Sequence, residues 1–216
     1  MNWHDFTFCS IRLRALPSGA LFWPDEALLC VSDLHLGKSD RLARRGGALL
    51  PPYETRETLT RLDADLAATG ALHVICLGDS FDDDMAAEAL AEDETLWLLR
   101  MMAGRDWTWI AGNHDPAPMT LGGEHRAEIH LGPLTFRHIA EADAAGEVSG
   151  HYHPKASLAG KTRPCFLIDA ARIILPAFGT YTGGLRSHDA ALTTLMAPTA
   201  LAILTGARCL VRPMPR

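Results

Sequence analysis

The chain has 216 residues, 48% of them hydrophobic and 21% charged, enough for a single domain spanning 1–216 with a substantial core, and too apolar for a disordered tail or a coiled coil. No apolar run approaches the ~18–20 residues that cross a bilayer, and Met1–Asp5 lacks the basic flank and apolar stretch of a secretory signal, so a cytoplasmic protein without a membrane partner is expected. A net charge of −6 argues against attachment to nucleic acid by bulk electrostatics, so a polyanionic substrate would need a local positive feature such as bound metal ions.

In chain order, Phe6, Phe8, Leu13 and Leu16 alternate in the manner of an N-terminal hairpin that returns through Leu21–Trp23. Ala27–Ser32 reads as a short buried strand. From Tyr53 to Thr69 the residues Leu59, Leu62 and Leu66 mark one helical face, with Pro51-Pro52 as a start signal and Gly70 as a stop. A buried strand over His73–Leu77, a helix over Met85–Ala103 with Leu90, Trp97, Leu98, Met101 and Met102 inward, and a strand over Trp107–Ala111 complete a β-α-β-α-β run. That pattern predicts a parallel sheet. Short strands are expected over Ile129–Leu131, Leu134–His138, Glu147–His151, Cys165–Asp169, Arg172–Leu175 and Leu201–Thr205. The predicted fold is α/β with α+β character: an αββα sandwich of two mixed β-sheets flanked by helices.

The residues just beyond each strand carry the chemistry. Strand one ends in Asp33-Leu34-His35-Leu36-Gly37, strand two in Gly78-Asp79-Ser80-Phe81-Asp82, and strand three in Gly112-Asn113-His114-Asp115. Ligands of open α/β sheets lie beyond the carboxyl ends of the strands. Further on, Arg137-His138 and Gly150-His151-Tyr152-His153 add three histidines at predicted strand ends. Carboxylate, imidazole and amide oxygen form a mixed O/N donor set suited to manganese, iron or zinc. Asp-x-His and His-x-His place both side chains on one face of an extended segment, and Gly78, Gly112 and Gly150 are expected to turn with positive φ.

The ordered blocks DLHLG, GDSFD, GNHD and GHYH resemble the calcineurin-like binuclear metallophosphoesterase superfamily. Within it, DLHLGKS, Leu50-Pro51-Pro52-Tyr53, CLGDSF, GNHDP, GHYHPK, Arg163–Phe166 and Leu175–Leu185 resemble the bacterial DNA-ligase-associated DNA damage response endonucleases. The resemblance implies two divalent metals, manganese first with iron or zinc as alternatives. Asp33, His35 and His153 would hold one, Asn113, His138 and His151 the other, and Asp79 would bridge them. His138 departs from the usual pattern in being followed by Ile139, and His125 and His130 are rivals for its place. His114 would be the general acid of a phosphodiester hydrolysis by metal-activated water, oriented by Asp82, whose other reading is a capping residue in the run Asp82-Asp83-Asp84. The implied partner is DNA, single-stranded by expectation, with functional association to a DNA ligase and other repair nucleases or a helicase.

Other features have two readings. Lys38, Arg41, Arg44 and Arg45 form a basic cluster that would guide a nucleic-acid backbone or stand as a solvated face; Lys155 is a weaker phosphate contact. Trp97, Trp107 and Trp109 are expected in the core rather than as base-stacking platforms. The five cysteines show no CxxC pair, so neither a disulfide framework nor a zinc ribbon is expected. The rival functions are a metallophosphoesterase acting on a phosphomonoester, cyclic nucleotide or nucleotide-lipid, and a non-catalytic protein-binding scaffold.

Overall fold

The N-terminal alternation forms β1 (His4–Phe8), β2 (Ile11–Ala15) and β3 (Leu21–Trp23). They pair antiparallel in a computed structural model that describes residues 2–46, 51, 53–116 and 121–216. Of the Leu50–Tyr53 stretch, Leu50 and Pro52 lie outside the described residues. β4 (Leu28–Val31) joins β3 antiparallel, and β5 (His73–Leu77), β6 (Asp106–Ile110) and β7 (Glu124–Arg126) are added in parallel. The resulting sheet keeps the sequence order β1 to β7.

The second sheet contains β8 (Glu128–Leu131), β9 (Leu134–Arg137), β10 (Glu147–Ser149), β11 (Lys155–Leu158), β12 (Lys161–Ile168), β13 (Arg172–Ile174), β14 (Leu201–Leu204) and β15 (Leu210–Pro213). Its order is β15-β14-β12-β13-β10-β9-β8, with β11 paired to β12 off that path. β10 runs parallel to both β9 and β13, while the other pairs are antiparallel. Both sheets are therefore mixed, as expected.

A period of two sorts the apolar side chains into layers. Leu28, Cys30, Ile75, Leu77 and Ile110 of the first sheet meet Phe136, Val148, Phe166, Ile173 and Ile203 of the second in one buried cluster. The alternate residues Leu29, Val31, Val74, Cys76, Trp107 and Trp109 face outward onto helices α2 (Glu54–Thr69) and α4 (Glu92–Met102). Cys165, Leu167, Ile174, Ala202 and Leu204 of the second sheet cover helix α5 (Ala190–Leu195) through Leu192. Each large buried side chain contributes ~1.5–3 kcal/mol, and a one-residue slip would exchange the two faces of a strand. The strand ends, and the loops that leave them, are thereby fixed in space.

Several elements differ from expectation. The helix expected over Met85–Ala103 is two, α3 (Asp84–Ala89) and α4, because Leu90 and Ala91 adopt extended backbone with ψ of 139° and 145°. Glu92, Asp93 and Glu94 then favour a new helix N-terminus at that point. Trp97 is only partly buried and its indole donates to Asp63, whereas Trp107 and Trp109 are core. Helix α1 (Lys38–Arg44), the edge strands β7 and β15, α5 and the β11–β12 hairpin had no apolar periodicity to announce them.

Candidate metal centre

Five strands from both sheets end at one edge. Asp33 and His35 lie just after β4, Asp79 and Asp82 after β5, Asn113 and His114 after β6, His138 after β9, and His151 and His153 after β10. The first two loops are zipped together by backbone bonds from Asp33 N to Gly78 O, His35 N to Asp79 O, Leu36 N to Ser80 O and Asp82 N to Leu36 O. Asp33, His35, Asp79, His151 and His153 all adopt left-handed backbone, with φ between 46° and 69°. Non-glycine residues adopt this conformation at a cost on the order of 1 kcal/mol each. Five such residues at one edge show a scaffold that overrides local preference to aim these side chains.

Close backbone approach explains two of the glycines. A Cβ on Gly112 would lie 2.1 Å from Asp79 N and 2.2 Å from Asp79 Oδ1. A Cβ on Gly150 would lie 1.7 Å from Ser32 Oγ and 2.6 Å from Asp33 Oδ2. Only Gly78 of the three flagged glycines has positive φ. For Gly112 and Gly150 the expectation of a special turn is corrected to a need for space.

The donor atoms converge without satisfying one another. One atom each from Asp33, His35 and His153 lie within 4.8 Å of one another, as do those from Asp79, His138 and His151 and from His35, Asp79 and His114. His153 Nε2 is 3.1 Å from Asp33 Oδ1, yet neither atom makes a hydrogen bond, and His35 Nε2 is likewise buried without a partner. Two ligands of one ion, each about 2.1 Å from it at right angles, would sit about 3 Å apart.

The other side is as crowded. His138 Nδ1 lies 2.8 Å from Leu77 O, which takes its proton. In the neutral ring, Nε2 then presents a lone pair 3.1 Å from Asn113 Oδ1 and 3.3 Å from Asp79 Oδ2. Such a gathering of acceptors needs either a proton or a metal ion among them. Protons respond to it as well. Burial pulls His138 down, but Asp79 and Asp33 hold it above its ordinary value. Burial pushes Asp79 up, but His138, the His114 N–H and His35 hold it well below the carboxylate range. The residues fit divalent metal ions, with Asp79 placed between the two groups.

Asp82 does reach His114, but through its backbone rather than its carboxylate. Its carboxylate lies 2.8 Å from His35 Nδ1 and also receives Lys38 and Arg41 at 3.5 and 2.6 Å. It is the Asp82 backbone carbonyl that accepts from His114 Nδ1, at 3.0 Å. The His114 ring packs edge-on against His35 with centroids 5.1 Å apart, and its backbone N–H donates to Asp79 Oδ1. The His114 ring is thereby fixed beside the donor groups.

The basic cluster is largely committed within the protein. Beyond Lys38 and Arg41, Arg44 pairs with Asp40 and Asp83, and Arg45 lies 3.8 Å from Asp83. Lys155 Nζ donates to Thr182 O. His130 is bound to Glu128 and Thr135, and His125 lies in β7, so neither displaces His138 from the cluster. The last residue of GNHD went unassigned in the sequence. Buried Asp115 accepts the Ser80 and Phe81 N–H groups at 2.7 and 3.0 Å, fixing the loop that carries Asp79. Burial pushes Asp115 up to about 6. Ser32, also missed, donates to Asp33 Oδ2 at 2.5 Å, and the His151 N–H reaches the same oxygen.

With this geometry in place, residues 27–168 match the calcineurin-like phosphoesterase family. The chain belongs to that family and is a metal-dependent phosphoesterase. It is similar to the crystal structure of Pseudomonas putida nuclease MPE, with a TM-score of 0.75 and 30% identity over 97% of this chain and 100% of that one. No curated protein matches the chain. Among the described residues no helix is long and apolar enough to cross a membrane.

Proposed function

We propose that the protein is a manganese-dependent phosphodiesterase, an endonuclease of single-stranded DNA acting in cytoplasmic DNA repair alongside a ligase and other nucleases or a helicase, with residues 1–216 as one catalytic domain. The observation that carries the phosphodiesterase reading is the pair of donor groups meeting at Asp79 with His114 beside them. The likeness to a nuclease over the whole chain supports the DNA substrate, and the blocks resembling ligase-associated endonucleases support the repair setting. Five free cysteines suit a reducing compartment.

In this reading Asp33, His35 and His153 would hold one metal, Asn113, His138 and His151 would hold the other, and Asp79 would be shared by both. When bound, the metals supply charge that neutralises the phosphodiester and activates the attacking water. The chain's own residues then set the geometry. His35 and His138 keep their Nδ1 protons on Asp82 and Leu77 O, which directs both Nε2 lone pairs inward. His114, anchored through Nδ1, delivers a proton from Nε2 to the leaving oxygen.

A second reading, a phosphoesterase of small molecules, is favoured by the pairing of Lys38, Arg41, Arg44 and Arg45 with acids. A single comparison separates the two. Metal-stripped protein is given Mn, Mg, Zn or nothing, and offered closed circular single-stranded DNA and a chromogenic phosphodiester. Cutting of the circle with Mn, abolished in His114→Ala, is the expected result. An intact circle beside hydrolysis of the small ester would overturn the nuclease reading and leave the metal chemistry in place.

A further inference from the structure

Resting on the nuclease reading, we propose that Tyr181 is a stacking platform for a nucleobase of the single strand whose phosphate lies at the Asp33–His153 side of the metal centre. Tyr181 is 42% exposed and holds left-handed backbone at φ 60°. An aromatic residue in that conformation carries a cost that burial does not repay here.

The segment bearing it is anchored to the ligand-bearing loops at both ends. Phe178 N donates to Ser32 O at 2.8 Å and Gly179 N to Asp33 O at 3.0 Å. A Cβ on Gly179 would lie 2.1 Å from Leu34 O, and one on Gly184 would lie 2.1 Å from His153 O. Leu185 N then donates to Tyr152 O at 3.1 Å. The four residues between these two glycines are thus seated beside Asp33 and His153, which face each other across the same donor group.

The base of the loop is also braced from outside the site. Thr180 N donates to Thr58 Oγ1 of α2, and the Arg61 guanidinium reaches Phe178 O and Thr180 Oγ1. Lys155 Nζ grips Thr182 O at 3.0 Å, and Thr182 Oγ1 donates to Gly179 O. Lys155 therefore braces this loop. The result is a pre-organised pedestal with one exposed ring.

Beside it runs an open groove of about 440 Å³ lined by Thr180, Thr182, Thr205, Pro164, Phe178 and the Arg61–Glu57 ion pair. Trp107 and Trp109, the alternative stacking rings weighed from the sequence, are sealed in the core. Every base has a π-face, so one fixed tyrosine binds single strands without reading sequence and without adding positive charge. That accounts for how a chain of net charge −6 would retain a polynucleotide while the Lys38–Arg45 cluster is paired with acids.

The test is a cycle between the ring and the base. Native protein, Tyr181→Ala, Tyr181→Phe and Tyr181→Trp are assayed with Mn on oligothymidylate and on an abasic deoxyribose-phosphate chain of equal length. Tyr181→Ala should raise KM for oligothymidylate on the order of tenfold with kcat little changed. The Phe and Trp variants should restore the native KM, and the native and Ala proteins should have matching KM on the abasic chain. Equal loss on both substrates, or no change on oligothymidylate, would overturn the stacking role while leaving the nuclease reading intact. Native protein that cleaves neither chain would instead bring down the nuclease reading and this inference with it.

Discussion

The His35 ring donates its Nδ1 proton to the Asp82 carboxylate, 2.8 Å away, and both residues are buried. The ring that turns Nε2 toward the donor cluster thus has its tautomer fixed by an acid, and that acid is held in turn by Lys38 and Arg41 of α1. The basic helix after the first ligand block is therefore part of the support for the metal centre.

Asp82→Ala tests this support. Loss of a partner behind a ligating histidine typically lowers metal affinity about 10–100-fold, so the variant should need that much more Mn for half-maximal activity. Saturating Mn should restore most of the turnover. Failure to recover turnover at any metal concentration would return Asp82 to the role of orienting His114. Metal titrations of activity and of protein-bound Mn make the distinction.

His114 makes a different prediction. Its Nδ1 is tied to Asp82 O and its ring is only packed beside His35, so His114→Ala should keep the native metal content. Proton delivery to the leaving oxygen is typically worth ~10²–10⁴ in rate, and turnover should fall by that order. A leaving group that needs no proton, such as nitrophenolate, should lose much less. Equal losses on both ester types would exclude the general-acid role.

The contrast between Asp82 and His114 shows what was legible in the sequence. The buried strands β4, β5 and β6 were plain as short apolar runs, and the polar blocks after them located the site because parallel strands must deliver their ends to one edge. Residue types and spacing could not say which atom of Asp82 faces which histidine, since the carbonyl and carboxylate of one residue serve two different rings. Asp115 was hidden for a related reason. It acts through the Ser80 and Phe81 backbone, and backbone donors leave no mark in a sequence. Helix α1 and strand β7 are short and polar, so neither had a periodic apolar face to read.

Gly112 offers a test of packing against chemistry. Its added methyl would meet Asp79 N and Oδ1 as well as Asp115 Oδ1 at 2.5 Å, and none of these can yield without moving Asp79, which is common to two of the donor groups. Gly112→Ala should therefore lose Mn binding along with activity, and should unfold at a lower temperature. Overpacking of this kind typically costs ~1–3 kcal/mol, or roughly 2–12 °C in Tm for a chain of this size. Native Mn affinity in this variant would show that the loop has room the structure does not display.

Asp65 of α2 predicts a pH dependence away from the metal centre. Burial pushes its carboxyl up to about 6 from an ordinary 3.8, against the pull of Ser18 and Arg61, and one of its oxygens has no hydrogen-bond partner. A carboxyl raised in the folded state is neutral there while the unfolded chain already ionises. Its contribution to stability is therefore complete below pH 3.8 and is lost as pH rises through about 6. Asp65→Asn keeps the shape and removes the titration. In metal-free protein the variant should melt near the native Tm at about pH 4 and a few degrees above it at about pH 8. The same shift at both pH values would mean that the amide changes packing and that the Asp65 charge is not what costs stability.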